Sequence, residues 1–261
     1  MENISEKILP IIRSTRNIVL PFYGKVEVIA QKDESPYNVV TKVDHEIEKY
    51  LKTEFSKIDP SIEFAGEEFG GSRDFKKLWL VDPVDGTMHF VRGIPFCTTM
   101  VALIEDGQVV FSAVYDFIND VMYHAEKGKG AFEDGKRISI STRPVTQSVV
   151  ALEINLAKAV NVEIRNKVRA KSLLLQTICS GYEFVLVATG KIEARICIDP
   201  FGKDYDFAPG SLLISEAGGV VTNIGASTYD YRNTNLIAGN KSIVDDFTKG
   251  SLAIFPVTNR E

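Results

Sequence analysis

Asp82 and Asp85 stand three residues apart in the stretch Trp79-Leu80-Val81-Asp82-Pro83-Val84-Asp85-Gly86-Thr87-Met88-His89-Phe90. Carboxylates placed this way suit a hard divalent cation such as Mg²⁺, which takes oxygen ligands. Gly86 and Thr87 follow where an apolar strand gives way to a helix, with Thr87 a fair N-cap. Backbone N–H groups at a helix start suit a phosphate. A site offering both serves phosphoryl chemistry, which depends on positioning and charge stabilisation. Asp-Pro and Asp-Gly are also ordinary turn dipeptides. The stretch therefore reads as a turn or as a metal site, depending on whether other carboxylates reach it.

Other acids stand in comparable places. Asp44 closes Thr41-Lys42-Val43-Asp44, a capping-box pattern that opens a helix with Ile47, Tyr50, Leu51, Phe55 and Ile58 on one face. Glu67 and Glu68 lie between glycines after a strand pattern at residues 61–65. Asp206 comes after a loop, just ahead of an apolar helix at 211–217. Asp44, Glu67, Asp82, Asp85 and Asp206 all mark element ends, and element ends attract acids for capping and dipole reasons. Spacing alone leaves two readings open, a metal site and a set of good turns.

The elements that would position these residues follow from periodicity. Residues 4–22 recur at helical spacing, with Pro10 expected to kink or restart the helix and Gly24 to end it. A strand at 78–81 should stop at Asp82-Pro83, because Pro has no ladder donor. Strands at 96–104 and 108–115 flank Glu105-Asp106-Gly107, a hairpin signal. A strand at 121–125 follows, then strands at 130–132 and 137–140 around Glu133-Asp134-Gly135, making an antiparallel meander. Near Pro144 the chain turns polar, and the division into halves is placed at 1–144 and 145–261. The second half reads as strand 149–154, helix 160–175, helix 182–189 ending at Gly190 and strand 192–198. After these come helix 211–217, strands at 220–221 and 236–239, and helix 242–248. Such alternation suggests a mixed or parallel sheet.

Bulk properties exclude several classes. The chain has 261 residues, 44% hydrophobic and 25% charged, an ordinary globular balance. A formal net charge of −5 argues against a general nucleic-acid binder. Cys97, Cys179 and Cys197 are too few and too scattered for a disulfide framework and fit a reducing cytoplasm. His45, His89 and His124 show no zinc spacing with them. No signal-peptide pattern, membrane-spanning apolar run, internal repeat or low-complexity segment is read.

Asp82-Pro83-Val84-Asp85-Gly86-Thr87 resembles the Asp-Pro-(Ile/Val/Leu)-Asp-Gly-Thr signature of the inositol monophosphatase superfamily, the Mg²⁺-dependent, lithium-sensitive phosphatases. Phe64-Ala65-Gly66-Glu67-Glu68 is similar to its upstream Gly-Glu-Glu. Tyr205-Asp206-Phe207-Ala208-Pro209-Gly210 is similar to its downstream Trp-Asp-x-Ala-x-Gly. Ser35-Pro36 through Val40-Thr41 to Asp44 resembles its early segment. Val187-Ala188-Thr189-Gly190 and Ser215-Glu216-Ala217-Gly218-Gly219 also match, so the resemblance runs through nearly the whole chain in order.

The resemblance implies an α+β fold, a layered αβαβα sandwich with its site between an antiparallel-sheet half and a mixed α/β half. It implies hydrolysis of a small phosphomonoester, inositol-1-phosphate first, with fructose-1,6-bisphosphate and 3′-phosphoadenosine-5′-phosphate as alternatives. It also implies two to three Mg²⁺ ions and a homodimer. Glu67, Asp82 and the Val84 carbonyl would hold the first ion; Asp82, Asp85 and Asp206 the second; a third would lean on Glu67. Asp44 and Thr87 would pair beside the attacking water, and N–H groups of Gly86 and Thr87 would hold phosphate. Asp199, seven residues before Asp206, matches an acid that touches substrate hydroxyls, or it simply closes a strand before Pro200. Ser180 would line the same pocket. Lys32 matches a metal-loop Lys with the spacing off by one, and a part for Glu68 is left open. His89 stands where the family has Asn, Tyr205 where it has Trp, and Met88 where the nucleotide enzymes tend to have Lys. A non-catalytic metal or phosphate binder is the rival reading, and the intact acidic set argues against it.

Overall fold

The computed structural model describes residues 4–31 and 39–258. Lys32 and the Ser35-Pro36 part of the early motif lie outside the described residues. Ile8 and Ile12 on α1 (Ile4–Ser14) meet Ile47, Leu51 and Phe55 on α3 (Lys42–Ile58), and these apolar stripes form a shared buried face. Between them come the short α2 (Arg16–Val19) and an antiparallel pair, β1 (Val28–Gln31) and β2 (Val39–Thr41). Pro10 does not break α1. The carbonyl that loses its partner is Glu6 O, and both residues are exposed, so water satisfies it. The break comes at Thr15, whose hydroxyl donates to Ile12 O at 2.7 Å.

The first large sheet has seven strands in sequence order: β3 (Glu63–Gly66), β4 (Lys77–Asp85), β5 (Thr98–Glu105), β6 (Gln108–Asp116), β7 (Val121–Glu126), β8 (Gly130–Glu133) and β9 (Lys136–Arg137). β3 and β4 are parallel and every later pair is antiparallel, as the hairpin signals imply. Along β5 successive residues face opposite ways. Val101 and Leu103 join the cluster under α1 and α3, while Met100 points to the other face.

The second sheet orders its strands β11-β10-β12-β14-β13. They are β10 (Val149–Ile154), β11 (Leu173–Gln176), β12 (Ala194–Ile198), β13 (Val220–Asn223) and β14 (Leu236–Gly239). β10 is parallel to both its neighbours, and β14 is antiparallel to both of its own, so the sheet is mixed. Here the periodicity reading needs correction. The helix expected over 160–175 is α5 (Ala159–Arg169), and Leu173 to Leu175 pair with Val149 to Ala151 instead. Consecutive leucines fit a buried helix and a short strand equally, and only a neighbouring strand tells them apart.

Helices α6 (Ser180–Ala188) and α7 (Asp204–Glu216) lie between the sheets. Phe184, Val185, Leu213 and Ile214 pack against Met100 and Val114 on one side and Leu236 and Ala238 on the other. α5 and α8 (Lys241–Thr248) cover the far face through Val168, Ile243 and Phe247. The result is an α+β sandwich layered αβαβα. α7 starts at Asp204, a turn and more earlier than expected, because Pro209 sits inside the helix. Asp206 is therefore a first-turn residue. Among the described residues no helix is long and apolar enough to cross a membrane.

Candidate active site

β4 does not stop at Asp82-Pro83. It continues to Asp85 through a bulge, the register slipping between the Asp82–Met100 and Asp85–Thr98 pairs. A bulge needs no ladder donor where Pro83 sits. Thr99 Oγ1 donates to Pro83 O at 2.8 Å, and Val84 N to Asp82 Oδ1 at 3.0 Å, so local bonds replace the ladder. Gly86 ends the strand at φ +83 and is itself the N-cap of α4 (Thr87–Val91), in place of Thr87. A Cβ there would stand 2.6 Å from Phe96 O, so the turn admits only glycine.

The bulge and the first turn of α7 bring carboxylate oxygens of Asp82, Asp85 and Asp206 within 4.8 Å of one another. Each is held from behind. Gly181 N and Ser180 N, at the start of α6, donate to Asp85 at 2.6 and 3.2 Å, joined by Thr98 Oγ1 at 3.0 Å and Cys179 Sγ at 2.7 Å. Asp206 Oδ2 accepts from Lys203 N at 2.6 Å. On α3, Asp44 Oδ2 accepts from Thr41 N at 2.9 Å and Thr41 Oγ1 at 2.5 Å, while Thr87 Oγ1 lies 3.1 Å from Asp44 Oδ1 and 2.9 Å from Val84 O.

Glu67 reaches the same volume from the end of β3. Its loop is held by Glu48, a buried acid of α3 that accepts from Glu68 N at 2.7 Å and Phe69 N at 2.9 Å. Periodicity missed Glu48, although an acid on the apolar stripe of Val43, Ile47 and Leu51 was a signal. Glu68 turns toward His45, 3.6 Å away.

Burial, then the neighbouring Glu67, Asp206 and Asp85, pushes the Asp82 carboxyl well above its usual range; burial, then Glu67 and Asp85, does the same to Asp206. Carboxylates crowded this way repel one another without a counter-charge. The donors are all hard oxygens, so a divalent cation of the Mg²⁺ type fits the set.

A cavity of about 340 Å³ opens over the acids, lined among others by Glu67, Val84, Gly86, Thr87, His89, Glu153, Thr177 and Ser180. His89 Nδ1 is buried there with no hydrogen-bond partner among the described residues, and burial lowers the ring's pKa. Asp199 is not part of this wall. It takes a left-handed φ of 47°, pairs with Lys158 at 2.8 Å and accepts from Asn161 at 3.0 Å. The wall instead contains Glu153, from the end of β10, which spacing did not single out. Its partner Arg195 is fully buried, bonding Glu153 Oε2 and Ser180 Oγ, both at 2.8 Å, and Ser180 O at 2.7 Å.

Known proteins resemble this chain in sequence and fold. Residues 4–252 match the model of the inositol monophosphatase family. The chain is 30% identical over 229 residues to an inositol-1-monophosphatase of Mesorhizobium japonicum, covering 85% of each, and 29% identical over 237 residues to inositol monophosphatase 1 of Bos taurus, covering 85% of this chain and 84% of that one. Among solved structures, the extragenic suppressor protein suhB of Bartonella henselae superposes with a TM-score of 0.82 at 28% identity, over 92% of this chain and 95% of that one. The chain belongs to the inositol monophosphatase family and is a metal-dependent phosphoric monoester hydrolase.

Proposed function

We propose that this protein hydrolyses a small phosphorylated polyol, inositol-1-phosphate first, with Mg²⁺ and by attack of water on phosphorus. The approach of Asp82, Asp85 and Asp206 to within 4.8 Å carries this reading, since nothing else in the fold requires two buried carboxylates and a half-buried one to share one volume. Names of relatives at 27–30% identity support the substrate. Fructose-1,6-bisphosphate and 3′-phosphoadenosine-5′-phosphate stand as alternatives within the superfamily.

In this reading the two chain halves, divided near residue 144, each contribute ligands. Glu67, Asp82 and Val84 O would hold one Mg²⁺, Asp82, Asp85 and Asp206 would hold a second, and a third would lean on Glu67. Bound Mg²⁺ supplies charge against the phosphate oxygens and makes a water a better nucleophile. Asp44, anchored by Thr41, holds the Thr87 hydroxyl so that Thr87 orients the attacking water. N–H groups of Gly86 and Thr87 hold a phosphate oxygen, and Ser180 lines the leaving-group side. Three buried, unpaired cysteines support a reducing cytoplasm as its compartment.

Phosphate release from inositol-1-phosphate and both alternatives should require Mg²⁺, vanish with EDTA and fall with lithium. Asp85→Asn keeps the shape and removes the charge, so turnover should drop by about a hundredfold or more with the fold intact. Wild-type turnover in that variant, or release that survives EDTA, overturns the two-metal reading.

A further inference from the structure

We propose that the substrate site continues beyond its leaving-group wall into a second cavity, where Arg165 and Arg169 bind a second phosphate of the substrate. This rests on the phosphomonoesterase reading and, within it, favours a bisphosphate such as fructose-1,6-bisphosphate over inositol-1-phosphate, which has no second phosphate. A cavity of about 620 Å³ opens beside the catalytic one, and Glu153 and Thr177 line both. The wall between them is one short turn, with Phe201 facing the larger cavity and Gly202 the catalytic one. Glu153 pins that turn by accepting from Phe201 N at 2.9 Å and Gly202 N at 3.3 Å.

The chemistry of the second cavity is cationic. Arg165 and Arg169 stand four residues apart on α5, one above the other, and both line it. Among the described residues neither side chain makes an ion pair or a hydrogen bond, whereas Arg13, Arg73, Arg143 and Arg195 all hold acids. The acid among the residues lining this cavity, Glu153, is already engaged with Arg195 and the 201–202 turn. Paired arginines with no acid to neutralise them favour phosphate, which a guanidinium grips through two parallel bonds. Leu152 and the exposed ring of Phe201 offer an apolar floor for the carbon skeleton between two phosphates.

The catalytic cavity points the same way. Asp199 turns off its wall, and both oxygens of Glu153 are taken, so acid acceptors for free polyol hydroxyls are scarce there. Recognition of the leaving group then falls to charge further out.

Fructose-1,6-bisphosphate and fructose-1-phosphate differ only in the second phosphate. With Mg²⁺ the wild type should show a KM about tenfold or more lower for the bisphosphate. R165A/R169A should raise that KM by about tenfold or more, leaving kcat and the monophosphate KM unchanged. Equal KM values in the wild type, or equal changes for both substrates in the variant, overturn the subsite. So does a fall in sedimentation mass of the variant with KM unchanged, which assigns the cavity to a contact between copies. If the wild type releases phosphate from neither, the phosphatase reading fails for these sugars. Calorimetric titration of fructose-1,6-bisphosphate then reads the subsite directly: weaker binding to the variant supports it, and equal or absent binding overturns it.

Discussion

Asp44 does two jobs with one carboxylate. Oδ2 closes the capping box with Thr41, and Oδ1 faces the Thr87 hydroxyl. The capping reading of this acid holds, and the same carboxylate also meets the Thr87 hydroxyl, a contact that spacing could not reveal. Asp44→Asn retains one oxygen and must give up one task. In that variant kcat should fall by about a hundredfold or more at saturating Mg²⁺, with a melting-temperature loss matching a cap worth roughly 1 kcal/mol. Unchanged kcat would remove Thr87 from the reaction. His124, stacked on Phe132, has a buried Nδ1 without a hydrogen-bond partner among the described residues, and burial lowers its pKa. The unfolded chain then takes up a proton before the folded one as pH falls below about 6.5. Stability should decline through that window and level off below the folded pKa. His124→Phe should flatten this slope in denaturant midpoints measured from pH 7 to 5; an identical slope in the variant would place its origin elsewhere.

At the scale of elements, the site depends on where helices begin. The first N–H groups of α6 point at Asp85, and the first turn of α7 carries Asp206. Gly181 makes the first approach possible. A Cβ there would lie 2.1 Å from Thr98 Oγ1 and 3.1 Å from Asp85 Oδ2. Gly181→Ala should push Asp85 off its donors and raise the Mg²⁺ concentration for half-maximal activity by about tenfold. A Mg²⁺ titration indistinguishable from wild type would show that α6 does not set the ligand. Cys179-Ser180-Gly181 carried no motif that announced this role. The glycine so early in a helix was the available hint. The bulge at Pro83 was equally hidden, because a proline inside a strand pattern signals a stop unless side chains replace the ladder.

For the whole molecule, the layer of α6 and α7 between the sheets is what joins the halves. Phe184 and Leu213 touch both sheets in one cluster, so the acids from residues 67–85 and from residue 206 share a single packed frame. We propose that the protein works as a homodimer, on family grounds. Sedimentation should give about twice the chain mass at micromolar concentration, and a mass near one chain overturns the proposal.

Residue order alone carried the acids, the Gly86-Thr87 turn and the meander from Thr98 to Arg137, while the layered architecture was implied by the family resemblance of the motifs. Those are local: alternation, turn residues and motifs are written within a few positions of one another. What needed tertiary structure was everything set by an absent neighbour. β11 is a strand because β10 lies alongside it, and Asp199 leaves the cavity because Lys158 and Asn161 take its carboxylate. Glu153 enters the wall because the buried Arg195 holds it there. Contacts between residues more than a hundred positions apart, such as Asp82 with Asp206, leave no trace in spacing; only packing decides them.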